Sequence, residues 1–202
     1  MSERNLEAFR REAIAALCAS GKAANEAGDL ESSLHALTRG LFDLLGDREA
    51  HLRPDALKEG ERQFFVSGVF LIAPEEDGHI LIAENGFPPE QHRLVIPIDL
   101  GHPGWMYRNR RPLVLPNTDE DAEFKQILKT ARMGSIVIAP MIWQSHLHGM
   151  IIMAAQARYT MSQADLDILV AFSHLATAHY LAHDGPAFLK TLPTEHHFIT
   201  TV

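Results

Sequence analysis

The apolar residues of this chain recur first at a helical period, then at the spacing of strands, and then at a helical period again, and that order is what most limits the folds open to it. From Leu6 to about Ala27 the helical positions hold Leu6, Phe9, Ala13, Ile14, Leu17 and Cys18, and Gly28 followed by Asp29 ends one helix and caps the next. The second helix carries Leu30, Leu34, Leu37, Leu41 and Leu44 as a three-four stripe and stops at Gly46. After a polar connection, strands are expected over 64–72, 80–83 and 94–97, with Pro74-Glu75-Glu76-Asp77-Gly78 as the first hairpin turn. A helix from about Asp121 to Arg132 is expected next, with Thr118 as its cap and Gly134 just past its end. Ile136–Trp143 and Gly149–Gln156 then read as a second hairpin. The last helix opens on Ser162-Gln163-Ala164-Asp165, buries Leu166, Leu169, Phe172, Leu175 and Ala176, and fades near His183-Asp184-Gly185-Pro186.

Each of these elements has an apolar face to bury. An α+β arrangement satisfies them all: a central antiparallel sheet of five to six strands, a layer of long helices on one face, and short helices and loops on the other. The 202 residues fit one domain with elaborated ends, and a hydrophobic share of 46% is ample for its core. With 26 acidic against 18 basic residues the net charge is −8, and no Lys/Arg cluster builds a continuous basic face, so nucleic acid is not an expected partner. No apolar run reaches the roughly 18–20 residues of a membrane span, and Met1-Ser2-Glu3-Arg4-Asn5-Leu6 lacks the layout of a signal peptide, so no membrane association and a cytoplasmic location are expected. The single cysteine, Cys18, permits no internal disulfide and no cysteine-based metal cluster.

The densest local pattern is Gly101-His102-Pro103-Gly104-Trp105-Met106-Tyr107-Arg108-Asn109-Arg110-Arg111-Pro112-Leu113-Val114-Leu115-Pro116-Asn117-Thr118-Asp119. It reads as a short helix with Gly and Pro at a tight start, an edge strand and an acidic loop. This run resembles the ligand-covering segment of a GAF domain. Gly134-Ser135-Ile136-Val137-Ile138-Ala139-Pro140-Met141 followed by His148-Gly149-Met150-Ile151-Ile152 extends the resemblance, with its small polar residue opening one strand, its Pro some four or five positions later and its Gly in the next. The likeness spans about Leu30 to His183. A PAS-type sensor is the nearest rival, but such domains usually group their helices mid-chain and lack the long closing helix.

The resemblance also sorts the chemistry. Free methionine sulfoxide reductases of this family act through several cysteines in sequence, and this chain has one. Biliverdin attachment needs a placed cysteine and an Asp-Ile-Pro motif, whereas Pro97 follows Val95 and Ile96. The cyclic-nucleotide signature is Asn-Lys-Phe-Asp-Glu, and Asn117, Phe124 and Lys125 stand out of that order. Among twelve histidines, His146 with His148 and His179 with His183 have chelating spacings, but neither pair has a third ligand, and no metal or other cofactor is expected. No catalytic residue is assigned.

The candidate binding site is the cover segment. Gly101, His102 and Gly104 would offer backbone N–H groups to an anion with Arg108 one turn on, and Trp105 and Tyr107 would offer flat surface. Phe65, Ser67 and Val69 with Ser135 and Val137 would form the floor, and Asn117 and Phe124 would complete the lining. The expected organisation is an N-terminal helix over 1–28 as a dimerisation extension, a GAF-like domain over 29–185 and a tail over 186–202. The function so implied is a stand-alone, non-catalytic sensory or regulatory domain that binds a small molecule and signals through a homodimer or a separate effector protein. The alternative is a structural dimerisation module with an empty pocket. Surplus apolar surface at Phe9, Leu34, Leu37, Leu41, Leu169, Phe172 and Leu175 points to a helical dimer interface. The tail, after the break at Gly185-Pro186, is expected to pack back on the domain or to add to a partner's sheet edge.

Overall fold

The computed structural model describes residues 5–124 and 133–192. Helices α1 (Leu6–Glu26) and α2 (Leu30–Leu44) come first, their starts capped by the Asn5 and Asp29 side chains. Strands β1 (Phe65–Ile72), β2 (Gly78–Asn85) and β3 (Val95–Pro97) follow, then α3 (Gly101–Asn109), β4 (Leu113–Leu115), β5 (Ser135–Trp143), β6 (His146–Ala155), α4 (Gln163–Ala182) and α5 (Gly185–Leu189). The strands form one antiparallel sheet in the order β3-β2-β1-β6-β5-β4. Among the described residues, no helix is long and apolar enough to cross a membrane.

Register decides what each face of the sheet carries. On β1, Val69 and Leu71 point to the long helices while Val66 and Phe70 point the other way. The same parity runs through β5 and β6: Val137, Ala139, Ile151 and Met153 meet the helices, and Ile136, Ile138, Met150 and Ile152 meet the cover. A bulge opposite Val69 and Phe70 lets Ile82 and Ala83 of β2 both pack on the helix side.

The helix side is two helices deep. Helix α2 lies on β1 and β2, α4 lies on β5 and β6, and α1 packs across both of them. A Cβ on Gly40 of α2 would stand 1.9 Å from the Ser20 hydroxyl of α1, so that glycine sets how closely the two helices approach. Phe9, Ala13 and Ala24 of α1 are buried, as are Leu34, Leu37, Leu41, Leu169 and Phe172, while Leu175 is half-buried. The apolar surface that suggested a dimer interface is therefore spent inside one chain, because α1 covers the outer sides of α2 and α4. Leu6 and Ile14 remain exposed on α1.

Three other expectations have different outcomes. The helix over Asp121–Arg132 falls largely outside the described residues; within them, Thr118–Glu120 form a 3₁₀ turn capped by Asn117, and the Thr118 hydroxyl donates to the Met133 carbonyl. Gly185-Pro186 bends the chain without ending helical structure. Asp184 takes a left-handed conformation, its carboxylate accepts from the Ala187 N–H, and Pro186 sits in the first turn of α5. Leu189 is then buried in the helix-side core with Phe188 and Leu192 against it, so this part of the tail packs back on the domain; residues 193–202, which carry the β-prone end, lie outside the described residues.

Candidate functional site

The tight start of α3 builds the cover. Gly101 has φ +54°, and a Cβ on Gly104 would lie 2.2 Å from the Asp99 carbonyl carbon, so both positions need glycine. One helical face, His102 and Met106 with Trp105 beside them, turns down onto Phe70, Leu81, Met150 and Ile152. Phe87, Leu94 and Phe124 close the sides. The underside of α3 thus packs on the even-numbered residues of β1, β5 and β6.

The floor expected from the sequence is on the other face. Val69 and Val137 lie in the helix-side core, and Phe65 packs against it with the Arg48 guanidinium 3.8 Å above its ring. The Ser67 hydroxyl donates to the Thr38 carbonyl of α2. Ser135 accepts the Met161 N–H and donates to the Leu115 carbonyl, joining β4 to the approach of α4. These five residues hold the domain together and do not face the cover. The register differs by one residue from the expected one, and in a strand one residue exchanges the faces.

The remaining candidates divide. His102, Trp105 and Phe124 come together, the His102 and Phe124 rings 5.3 Å apart. Tyr107 turns toward the β1–β2 turn, where its hydroxyl donates to Glu76 and its ring meets that of His79 edge-on at 6.3 Å. Arg108 is exposed and donates to the Asp99 carbonyl, so it is not aimed under the cover. Asn117 is occupied by its own loop, bonding Asp119, Glu120 and Tyr159.

Two buried imidazoles supply the polarity. His102 is 4% exposed; its Nε2 lies 3.6 Å from the Asp121 carboxylate and its Nδ1 has no hydrogen-bond partner among the described residues. Burial lowers its pKa below the ordinary imidazole value against the upward pull of Asp121. His79 is 1% exposed, its Nε2 meets the Ile98 carbonyl at 3.3 Å, and its Nδ1 likewise has no partner among the described residues. Burial pushes its pKa down to about 4, against smaller upward pulls from the Ile98 and Pro103 carbonyls. Both rings are therefore neutral at pH 7, and the cover presents apolar surface with uncharged hydrogen-bonding groups.

One member of each of the other histidine pairs is engaged elsewhere: His183 Nε2 lies 3.1 Å from the Ser33 hydroxyl, and His146 Nδ1 lies 3.1 Å from the Gln144 carbonyl. Among the described residues no group of three His, Cys, Asp or Glu side chains is placed to hold a metal ion. Cys18 is exposed on α1, within the helix layer and across the sheet from the cover. A feature that sequence reading missed is Arg158, 2% exposed, whose guanidinium bonds Glu61 through two nitrogens and Asp119 at 3.0 Å. Lys58 also reaches Asp119, at 2.8 Å, so this network ties the loop before β1 to the loop after β4.

A family model described as GAF domain matches residues 29–179. The GAF domain of a phosphoenolpyruvate-protein phosphotransferase from Coxiella burnetii has a TM-score of 0.72 at 15% identity, over 92% of this chain and 99% of that one. The corresponding Acinetobacter domain gives 0.68 at 15% identity, over 87% and 97%. The free methionine-R-sulfoxide reductase of Neisseria meningitidis, in complex with its substrate, gives 0.68 at 13% identity, over 92% and 96%. No curated protein matches the sequence. The likeness to solved structures establishes the fold and the matched model establishes the family: the chain belongs to the GAF domain family.

Proposed function

We propose that this GAF domain is a non-catalytic sensory or regulatory module whose ligand sits between α3 and the even-numbered face of β1, β5 and β6. The observation that carries the reading is His102: an imidazole 4% exposed, on the sheet-facing side of the cover, with a ring nitrogen that has no partner among the described residues. A buried polar atom left unpaired costs about 1–3 kcal/mol, a cost that a bound group hydrogen-bonded to it removes. Neutral His102 and His79 beside Met106, Trp105 and Phe124 suit an uncharged or weakly polar small molecule with a flat or flexible apolar body. This replaces the anion expected from Arg108.

The free methionine-R-sulfoxide reductase with which this chain shares its fold holds its substrate in that structure, which supports a small-molecule reading for this fold. The thiol chemistry ascribed to such reductases has a poor basis here: the single thiol, Cys18, lies on α1. Signal output is assigned to association through the exposed Leu6 and Ile14 of α1, with a homodimer or a separate effector as the partner. Native mass spectrometry of the purified protein tests the ligand. A small non-covalent mass should be present, and Met106→Trp, which crowds the face under α3, should reduce its occupancy. A ligand-free spectrum, with no stabilisation by any member of a metabolite panel, refutes the binding reading and leaves the structural module. Ile14→Glu, unlike the buried Phe9→Glu, should dissociate a dimer without unfolding it, as measured by light scattering.

A further inference from the structure

The C-terminal corner of the fold contains a cavity that belongs to neither the cover nor the core. After α4 the chain turns at Asp184, in a left-handed conformation, and passes so close to Tyr180 that a Cβ on Gly185 would stand 2.0 Å from its ring. Helix α5 then descends toward the sheet and anchors through Leu189. Between α5 and the ends of β1 and β6 it leaves a cavity of about 280 Å³, at the small end of ligand sites.

Its walls are apolar: Ile72 and Pro74 at the end of β1, Leu147 at the start of β6, and Pro186 and Leu189 from α5. Tyr180, 3% exposed, forms one side with the His148 ring stacked at a tilt 5.0 Å away. Three polar groups remain. Among the described residues, the buried Nε2 of His148 has no hydrogen-bond partner, and the exposed Lys190 forms no ion pair. Glu76 has one oxygen already accepting from Tyr107, and its negative charge at the rim opposes a second negative charge nearby.

We propose that this cavity binds a small monocarboxylate with a flat or branched apolar body, its carboxylate held by Lys190 and His148 and its body packed against Ile72, Leu147, Tyr180 and Leu189. The ammonium and an imidazole N–H are the two donors a carboxylate needs. The acid at Glu76 selects against dicarboxylates and phosphates. The binding is reversible and involves no bond making or breaking, and an occupant would fix α5 against the end of the sheet.

Phenylacetate is a suitable probe, with phenethylamine as the same ring bearing the opposite charge. Titration of the full chain, followed through the methyl resonances of Ile72, Leu147 and Leu189, should give saturable shifts with a dissociation constant of roughly 1–10 mM, the range of a ten-atom ligand at ordinary efficiency. Phenethylamine should bind at least tenfold more weakly. Lys190→Met should weaken phenylacetate roughly three- to tenfold, and Leu147→Trp, which fills the cavity, should abolish it while the melting temperature stays within a few degrees. Absence of shifts at 10 mM overturns the proposal, as does equal binding of the two probes, indifference to Lys190→Met, or shifts centred on Met106 and Met150 under the cover.

Discussion

His79 makes acid a specific stress on the cover. Its ring is 1% exposed between β2 and α3, and burial holds its pKa at about 4, whereas the unfolded chain returns it to 6.5. Because the folded value is the lower one, the unfolded chain binds the extra proton between those values. Stability from this group is complete above 6.5, declines as pH falls through 6.5 toward 4, and changes no further below. Between pH 7 and pH 5 the linkage amounts to about 2 kcal/mol. His102, His148 and His179, also lowered by burial, add to the slope in the same direction. The contribution of His79 is isolated by His79→Gln, whose amide can donate to the Ile98 carbonyl as Nε2 does but does not titrate. Urea unfolding at pH 7 and pH 5 should show the parent losing about 2 kcal/mol more than the variant over that interval. Parallel pH dependences would refute the assignment of a buried neutral imidazole and would mean that water reaches this ring.

Arg158→Met leaves Glu61 and Asp119 facing each other without their guanidinium and should cost about 3 kcal/mol in denaturant unfolding; replacing all three with apolar residues should recover part of that loss, whereas a cost below about 1 kcal/mol would place the network in effective contact with solvent. Burial raises the Glu61 carboxyl, but its bonds to Arg158 and to the Lys58 N–H outweigh this and hold its pKa below the ordinary value; its stabilising contribution is present above pH 4.5 and is lost as pH falls through the lower folded value, which the Glu61→Gln profile should lack. Deleting residues from Leu189 onward removes a 6%-exposed core side chain worth about 2 kcal/mol and should lower the melting temperature by roughly 4–8 °C; an unchanged value would detach α5 from the domain.

The element order and both hairpins are legible in the sequence because they rest on period and turn chemistry. The parity of the strands is not. Every residue of β1 after Phe65 is buried, so the apolar-polar alternation that would announce an inward face is missing. Ser67 looked like a pocket group because it is polar, yet its hydroxyl serves the Thr38 carbonyl on the helix side. The second helix shell was hidden for a related reason: Leu34, Leu37 and Phe172 seem too many for one sheet face until α1 supplies a second surface for α2 and α4 to bury against. Arg158 carried no local signal, since its partners Glu61 and Asp119 are 97 and 39 positions away.

Glu76 connects the two regions that the fold keeps apart. The cover packs on one face of the sheet and α5 on the other, so a signal between them has to pass around the sheet's end, where the β1–β2 turn lies. There the Glu76 carboxylate accepts from Tyr107 on α3 and also lines the cavity beside Lys190 on α5. Glu76 has φ +53°, a backbone conformation that L-residues seldom adopt. The phenolic proton of Tyr107 is held by that same carboxylate, which raises the Tyr107 pKa above its usual value. A cation seated near Glu76 would compete with Tyr107 for it, whereas an anion drawn to Lys190 would leave the bond in place and oppose any second negative charge. If the cavity under α5 binds a ligand as proposed, the charge of that ligand would bear on the Tyr107–Glu76 bond through this one carboxylate.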